Sequence, residues 1–344
     1  EMDEARTRLA AMLNIPRRTL SFGPSTTQNT YVLAQAFGEF LSPGDAIVVT
    51  NQDHEANSGA WRKLAAKGIE IREWQIDPET GQLDPNQLAP LLDNKTRLVC
   101  CPHCSNVVGH INPIAEIAQM VHTAGAWLCV DGVSYAPHGL PDIASLDADI
   151  YLFSAYKTYG PHQGIMVIHE DITAALPNQA HAFNADYPDK RFTPAGPDHA
   201  QVAASAGIAD YLDALAEHHA ITGPPAERAR GVHDLMRAHE TRIMTPLLDY
   251  LRDQNDMRLI GPSNPASRAP TIAVELATMS GEDAALALAA KGIMTGGGDF
   301  YAPRALDALG ISPDKGVLRL SFVHYTSPED MAPLISDQLE AFKQ

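Results

Sequence analysis

From Ala46 onward the chain alternates short apolar runs with longer segments whose apolar residues recur at helical spacing. This spacing predicts strands at Ala46–Thr50, Ile69–Ile76, Arg97–Cys101, Trp127–Val130, Ile150–Phe153 and Ile165–His169. Between them it predicts helices near Asn57–Lys67, Asp84–Leu92 and Pro113–Ala124. Strands that alternate with helices require a largely parallel sheet with helices on both faces. Turn residues support the boundaries, with Ser42-Pro43-Gly44-Asp45 before the first of these strands and Asp77-Pro78 with Thr80-Gly81 after the second.

Upstream, residues 1–15 show amphipathic helical spacing and Tyr31–Phe40 a second such helix. Downstream, a Pro-, Asn- and Asp-rich stretch from Leu176 to Ala200 precedes helices at Gln201–Leu215 and Glu227–Leu251. The C-terminal part reads as strands at Pro270–Leu276 and Val317–Phe322, with helices at Gly281–Lys291 and from about Ser327. The expected organisation is a large α/β domain over 1–255 and a smaller α+β domain over 256–344. At 344 residues the chain exceeds the size at which a single core keeps growing, which agrees with two domains.

Charge narrows the partners. The formal net charge is −17, from 42 acidic and 25 basic residues, with no run of five or six Lys/Arg. Nucleic acid and anionic membrane surfaces are therefore not expected, because both are bound by clustered cations. No stretch reaches the roughly 18 apolar residues of a spanning helix. Residues 1–15 resemble neither a signal nor a transit peptide, so the expected compartment is the cytoplasm. The four cysteines, Cys100, Cys101, Cys104 and Cys129, fall within 30 residues of one another and are expected to be reduced.

Candidate chemistry clusters at strand ends, where open parallel sheets bind ligands. Trp127–Val130 runs into Asp131, a carboxylate that is costly at such a position unless a cation faces it. Lys157 follows the next strand in Phe153-Ser154-Ala155-Tyr156-Lys157, and a buried lysine amine there can lose its proton and attack a carbonyl. A structural ion pair between Asp131 and Lys157 is the plain alternative. Ser25-Thr26-Thr27 opens a helix and could receive a phosphate, or simply cap it. His54 could stack on a flat ring or cap a helix. Arg319, within a short apolar strand, could grip a carboxylate bidentately or belong to a buried ion pair.

Taken in order, these segments resemble the class V aminotransferase and cysteine desulfurase branch of fold-type I pyridoxal-phosphate (PLP) enzymes. The resemblance runs from about Leu20 to the end. It rests on Ser25-Thr26-Thr27, His54-Glu55-Ala56-Asn57 with Trp61, Ser105-Asn106-Val107-Val108-Gly109, Val130-Asp131-Gly132 with Pro137-His138, and Phe153-Ser154-x-x-Lys157-x-x-Gly160-Pro161. It implies a mostly parallel seven-stranded sheet, pyridoxal 5′-phosphate as cofactor, a small amino acid as substrate and a homodimer.

The resemblance also implies roles for single residues. Lys157 forms the Schiff base and shuttles the α-proton, Asp131 keeps the pyridine nitrogen protonated, and His54 stacks on the ring. Asn106 bonds the ring oxygen, while Thr26, Thr27 and Ser154 hold the phosphate. Ser134 and Tyr156 stand where relatives often carry a glutamine and a histidine that contact the cofactor. Arg319, with Asn106, binds the substrate. A true desulfurase needs a nucleophilic cysteine after the PLP lysine, yet none follows Cys129, and the comparable loop reads Thr295-Gly296-Gly297-Gly298-Asp299-Phe300. Aminotransferase-type chemistry is therefore expected first, carbon–sulfur β-elimination second, and a non-catalytic PLP-fold binding protein third.

Cys101-Pro102-His103-Cys104 also matches a redox dithiol, and Cys101, Cys104, His103 and His110 could be imagined around zinc. The next helix starts too late for the dithiol fold, and no second zinc ligand pair follows.

Overall fold

The computed structural model describes residues 1–335 together with 339 and 342. Seven strands form one sheet: β1 (Leu20–Gly23), β2 (Ala46–Thr50), β3 (Glu70–Trp74), β4 (Thr96–Pro102), β5 (Trp127–Asp131), β6 (Ile150–Ser154) and β7 (Gly164–Ile168), in spatial order β1-β7-β6-β5-β4-β2-β3. Strands β2 to β6 are parallel, and β7 is antiparallel to both of its neighbours. Because β1 is antiparallel to β7, it runs with the parallel set. The C-terminal ends of β1, β2, β4, β5 and β6 therefore share one edge, the edge at which such sheets bind ligands.

The continuous apolar runs follow from burial on both faces. Along β4, Val99 and Cys101 point into one core while Leu98 and Cys100 point into the other. On the first face lie helices α1 (Met2–Met12), α4 (Ile114–Thr123), α8 (Ala206–His218) and α9 (Pro225–Arg252); on the second lie α2 (Thr26–Phe40), α3 (Glu55–Arg62) and α6 (Glu170–Ala175). Phe37 of α2 packs edge-on against Trp61 of α3 with ring centroids 5.6 Å apart, both fully buried. Truncating either ring to alanine is expected to cost about 3–5 kcal/mol. The remaining helices are α5 (Ile143–Leu146), α7 (His199–Ala204), α10 (Gly281–Ala289), α11 (Pro303–Ala308) and α12 (Pro328–Pro333).

A second, antiparallel sheet has the order β10-β11-β9-β8, from β8 (Met257–Leu259), β9 (Thr271–Leu276), β10 (Gly296–Gly298) and β11 (Val317–Ser321). Helix α9 serves both sheets: Ala229, Val232 and Met236 enter the first core, while Ile243, Leu247 and Leu251 enter a third core under the second sheet.

Several sequence expectations change. The helix expected over Asp84–Leu92 is two short 3₁₀ turns, Pro85–Gln87 and Ala89–Leu91: Pro85 suits a first helical position, but Pro90, in the interior, has no amide hydrogen for the Asn86 carbonyl and its ring clashes there. The helix expected over Gln201–Leu215 is split at Ser205 into α7 and α8. Strands β1, β8 and β10 are additions. Among the described residues, no helix is long and apolar enough to cross a membrane.

Candidate active site

The shared strand edge opens on a cleft lined by Thr26, Thr27, His54, Cys104, Asn106, Asp131, Ser134, Ser154, Tyr156 and Lys157, among others. Nine of the ten residues picked out in the sequence thus meet in one cleft; Arg319 sits beside it, tied to Asn106.

Each wall has a local cause. Ser25 caps α2 by accepting the Gln28 N–H at 3.2 Å, so the helix starts at the cleft. Thr26 then shares a buried hydroxyl–hydroxyl bond of 2.7 Å with Ser154, at the end of β6. This close approach depends on Gly164, which pairs with Gly23 on one side and Ser154 on the other. A Cβ on Gly164 would lie 2.4 Å from the Ser25 carbonyl carbon and 2.6 Å from the Thr26 nitrogen, so any other residue would push α2 away.

Asp131 ends β5 and is buried, accepting one hydrogen bond from the Val133 N–H at 2.8 Å. Burial raises its carboxyl pKa to about 6, against the pull of that N–H and of the nearby Lys157 ammonium. Lys157 closes a 3₁₀ turn (Ala155–Lys157) beyond β6. It is not buried, as the sequence reading assumed, but exposed toward the cleft. Partial desolvation nonetheless lowers its pKa, with Asp131 opposing and Arg319 adding to the shift. Among the described residues, no salt bridge joins Lys157 to Asp131, which sets aside the plain ion-pair alternative.

His54 forms the helix cap weighed for it, and its ring faces the cleft. Its Nδ1 accepts the Ala56 N–H at 3.0 Å, capping α3, while the ring lines the cleft. The cap places the ring proton of the neutral form on Nε2. Desolvation, then the Lys157 and Arg319 charges, lower its pKa to about 4, so the ring is neutral at pH 7. Beneath it, Asp53 is buried and hydrogen-bonded by Thr50 and Asn57, and burial raises its pKa to about 7. Sequence reasoning passed over Asp53; the signal was a carboxylate directly before His54 in a strand-end turn. Tyr156 lies face to face with His162, centroids 4.7 Å apart.

Asn106 donates from Nδ2 to the Phe300 carbonyl at 2.8 Å, and its buried Oδ1 has no partner among the described residues. Arg319, on β11, donates to the Asn106 carbonyl at 3.1 Å and lays its guanidinium over the Phe300 ring. Among the described residues it has no acidic partner, so the buried ion pair considered for it is not formed. Burial lowers its pKa to about 10, which leaves it charged at neutral pH.

The cysteines are thiols packed into the fold. All four are free and buried, with Cys101 facing a core. Cys104 reaches the cleft wall, but it donates its S–H to the Gly109 carbonyl at 3.2 Å, and burial pushes its thiol up to about 12. Among the described residues, no group of three or more His, Cys, Asp or Glu is arranged to hold a metal.

The family model for aminotransferase class-V matches residues 1–184 and 229–334. An aminotransferase-like protein of Gibberella zeae is 36% identical over 97% of this chain and 81% of its own. A cysteine desulfurase-like protein of Aspergillus flavus is 32% identical over 96% of this chain and 75% of its own. The apo cysteine desulfurase structure from Thermococcus onnurineus NA1 superposes with a TM-score of 0.86, covering 99% of this chain and 84% of that one; at 22% identity it speaks to the fold alone. With this fold, and with a family match spanning most of its length, the chain belongs to the class-V aminotransferase family, whose members, cysteine desulfurases included, use pyridoxal 5′-phosphate.

Proposed function

We propose that the chain is a PLP-dependent enzyme of α-amino acids that works by proton transfer at the α-carbon, in the manner of an aminotransferase. The observation that carries this reading is the meeting of Lys157 and Asp131 in one cleft, with Arg319 held beside it through Asn106 and no reactive thiol in its wall.

The cleft suits the cofactor. A buried carboxylate with a single hydrogen bond, Asp131, calls for a cation, which a protonated pyridine nitrogen would supply. The orphaned Asn106 Oδ1 calls for a polar partner at the opposite wall. Thr26, Thr27 and Ser154, with Ser134 and Tyr156 at the rim, would hold the phosphate at the start of α2. Asn106 would hold the ring oxygen, and the neutral His54 would cover the ring face. When bound, PLP supplies an electron sink for charge developing at the substrate's α-carbon.

The chain's own residues supply the rest. Lys157 would carry the cofactor and, with its pKa lowered, take the α-proton and return it to a neighbouring atom. Asp131 would keep a positive charge fixed at the far end of the cleft. Arg319 would hold the α-carboxylate and so aim the α-hydrogen at the lysine. A persulfide step lacks its nucleophile: Cys104 is locked as a hydrogen-bonded thiol, and the Thr295–Phe300 loop contains no cysteine.

The test is a screen of the PLP-loaded protein with each protein amino acid as donor and a keto acid as acceptor. Keto-acid-dependent appearance of a new amino acid is the expected outcome. Release of pyruvate with sulfide or a thiol from cysteine derivatives, without amine transfer, would replace this reading by β-elimination. A protein that PLP cannot turn yellow would leave a binding protein on an enzyme's fold.

A further inference from the structure

Arg319 is restrained in two perpendicular directions. The bond from Nη1 to the Asn106 carbonyl, 3.1 Å, resists rotation of the guanidinium within its plane. The Phe300 ring, whose centroid lies 3.9 Å from the guanidinium carbon, sets the tilt of that plane. Among the described residues, the opposite edge, Nε with Nη2, carries no hydrogen bond or ion pair. One bidentate edge of a fixed plane is thus left for a ligand.

The loop that delivers Phe300 is built against its own backbone preference. Phe300 and Tyr301 follow one another with φ of 52° and 57°, the left-handed region that aromatic residues avoid. Surrounding contacts impose it. Asn106 Nδ2 donates to the Phe300 carbonyl at 2.8 Å, and the Tyr301 N–H is received by Asp299 at 2.9 Å. The Tyr301 carbonyl takes the Glu55 N–H, the first of α3, at 2.7 Å, while Arg304 pairs with Glu55. The same loop therefore grips the Asn106 segment, the helix capped by His54, and Arg319.

We propose that Phe300 is a positioning residue that sets substrate class: by fixing the plane of Arg319 it selects α-amino carboxylates over their tetrahedral phosphonate analogues. A carboxylate lies in the guanidinium plane and forms two parallel bonds to the free edge. A phosphonate brings a third oxygen out of that plane, on one side toward the Phe300 ring. The proposal rests on the reading of Arg319 as the carboxylate anchor.

Binding, rather than turnover, tests it. In the PLP-loaded protein, the protein amino acid giving the largest change in cofactor absorbance and its phosphonate analogue are titrated against wild type, F300L, F300Y and R319A, with melting temperatures in parallel. Phe300→Leu keeps an apolar body against the first core, on which Phe300 also rests, but removes the π-face. The expected result is about tenfold weaker carboxylate binding in F300L, phosphonate binding within about twofold, and wild-type behaviour in F300Y. Equal weakening of both ligands, or no weakening of either, overturns the positioning role. If R319A binds the amino acid as well as wild type does, or if no amino acid perturbs a wild-type protein that is yellow, the anchor reading fails and this proposal with it. Loss of binding in R319A beside an unaffected F300L removes the Phe300 proposal alone.

Discussion

The two ends of the cleft are made differently. At the cofactor end, Thr26, Asp131, Ser154 and Lys157 stand at or just beyond strand ends of one sheet, and strand register sets their spacing: Asp131 pairs with Leu152 and Ser154 with Gly164. At the substrate end, Asn106, Phe300 and Arg319 come from two sheets, and a loop with left-handed backbone joins them. The first end is as rigid as the core beneath it. The second depends on how the two sheets are docked, so changes there should alter substrate binding before they alter chemistry.

The largest expected break is at the cofactor end. Lys157→Ala should lower turnover by about 10³–10⁴-fold or more and abolish the yellow band that borohydride fixes; activity near wild type in this variant would remove the lysine from its proposed role. Asp131→Asn should lower kcat by about 10²–10³-fold while leaving the melting temperature of the cofactor-free protein unchanged or higher, since a buried carboxylate without a cation is removed. An equal loss of stability would make Asp131 a structural residue instead.

At the substrate end, Arg319→Ala should raise KM by about 10–100-fold with a smaller change in kcat. A fall in kcat at constant KM would contradict the division between the two ends.

The smallest effect concerns Asp53, under the cofactor end. Burial raises its pKa from 3.8 to about 7, so between those values the folded protein keeps a proton that the unfolded chain releases. The stability this group contributes is present below about pH 4 and is lost as pH rises through 7. Asparagine does not titrate. Asp53→Asn should therefore gain a few degrees of melting temperature relative to wild type between pH 5 and pH 8; a pH-independent difference would show that Asp53 is already ionised in the fold.

The contrast between the two ends also decides what could be read from the chain. Strand β2 could be read to the residue, because Ala46–Thr50 is a continuous apolar run behind a Pro-Gly turn. Strand β10 could not, because Gly296-Gly297-Gly298 has no side chains to alternate. The helix expected at Asp84–Leu92 had helical spacing, but Pro90 in its interior overrides spacing. His54 offered two local readings; the cap is formed, and because a capping ring at a strand end also faces the cleft, the cap leaves the ring free for the other.

Local pattern alone determined the alternation of strands and helices, hence the parallel sheet, and it marked the carboxylate and the lysine at neighbouring strand ends. Those features depend on periodicity and on the cost of a charge at the end of an apolar run, both of which act over a few residues. Tertiary structure decided that Arg319 meets a carbonyl 213 residues earlier, that Phe300 covers its face, and that Cys104 is sealed as a thiol rather than poised as a nucleophile. Each of these depends on which distant segments pack together, and no short-range pattern encodes that choice.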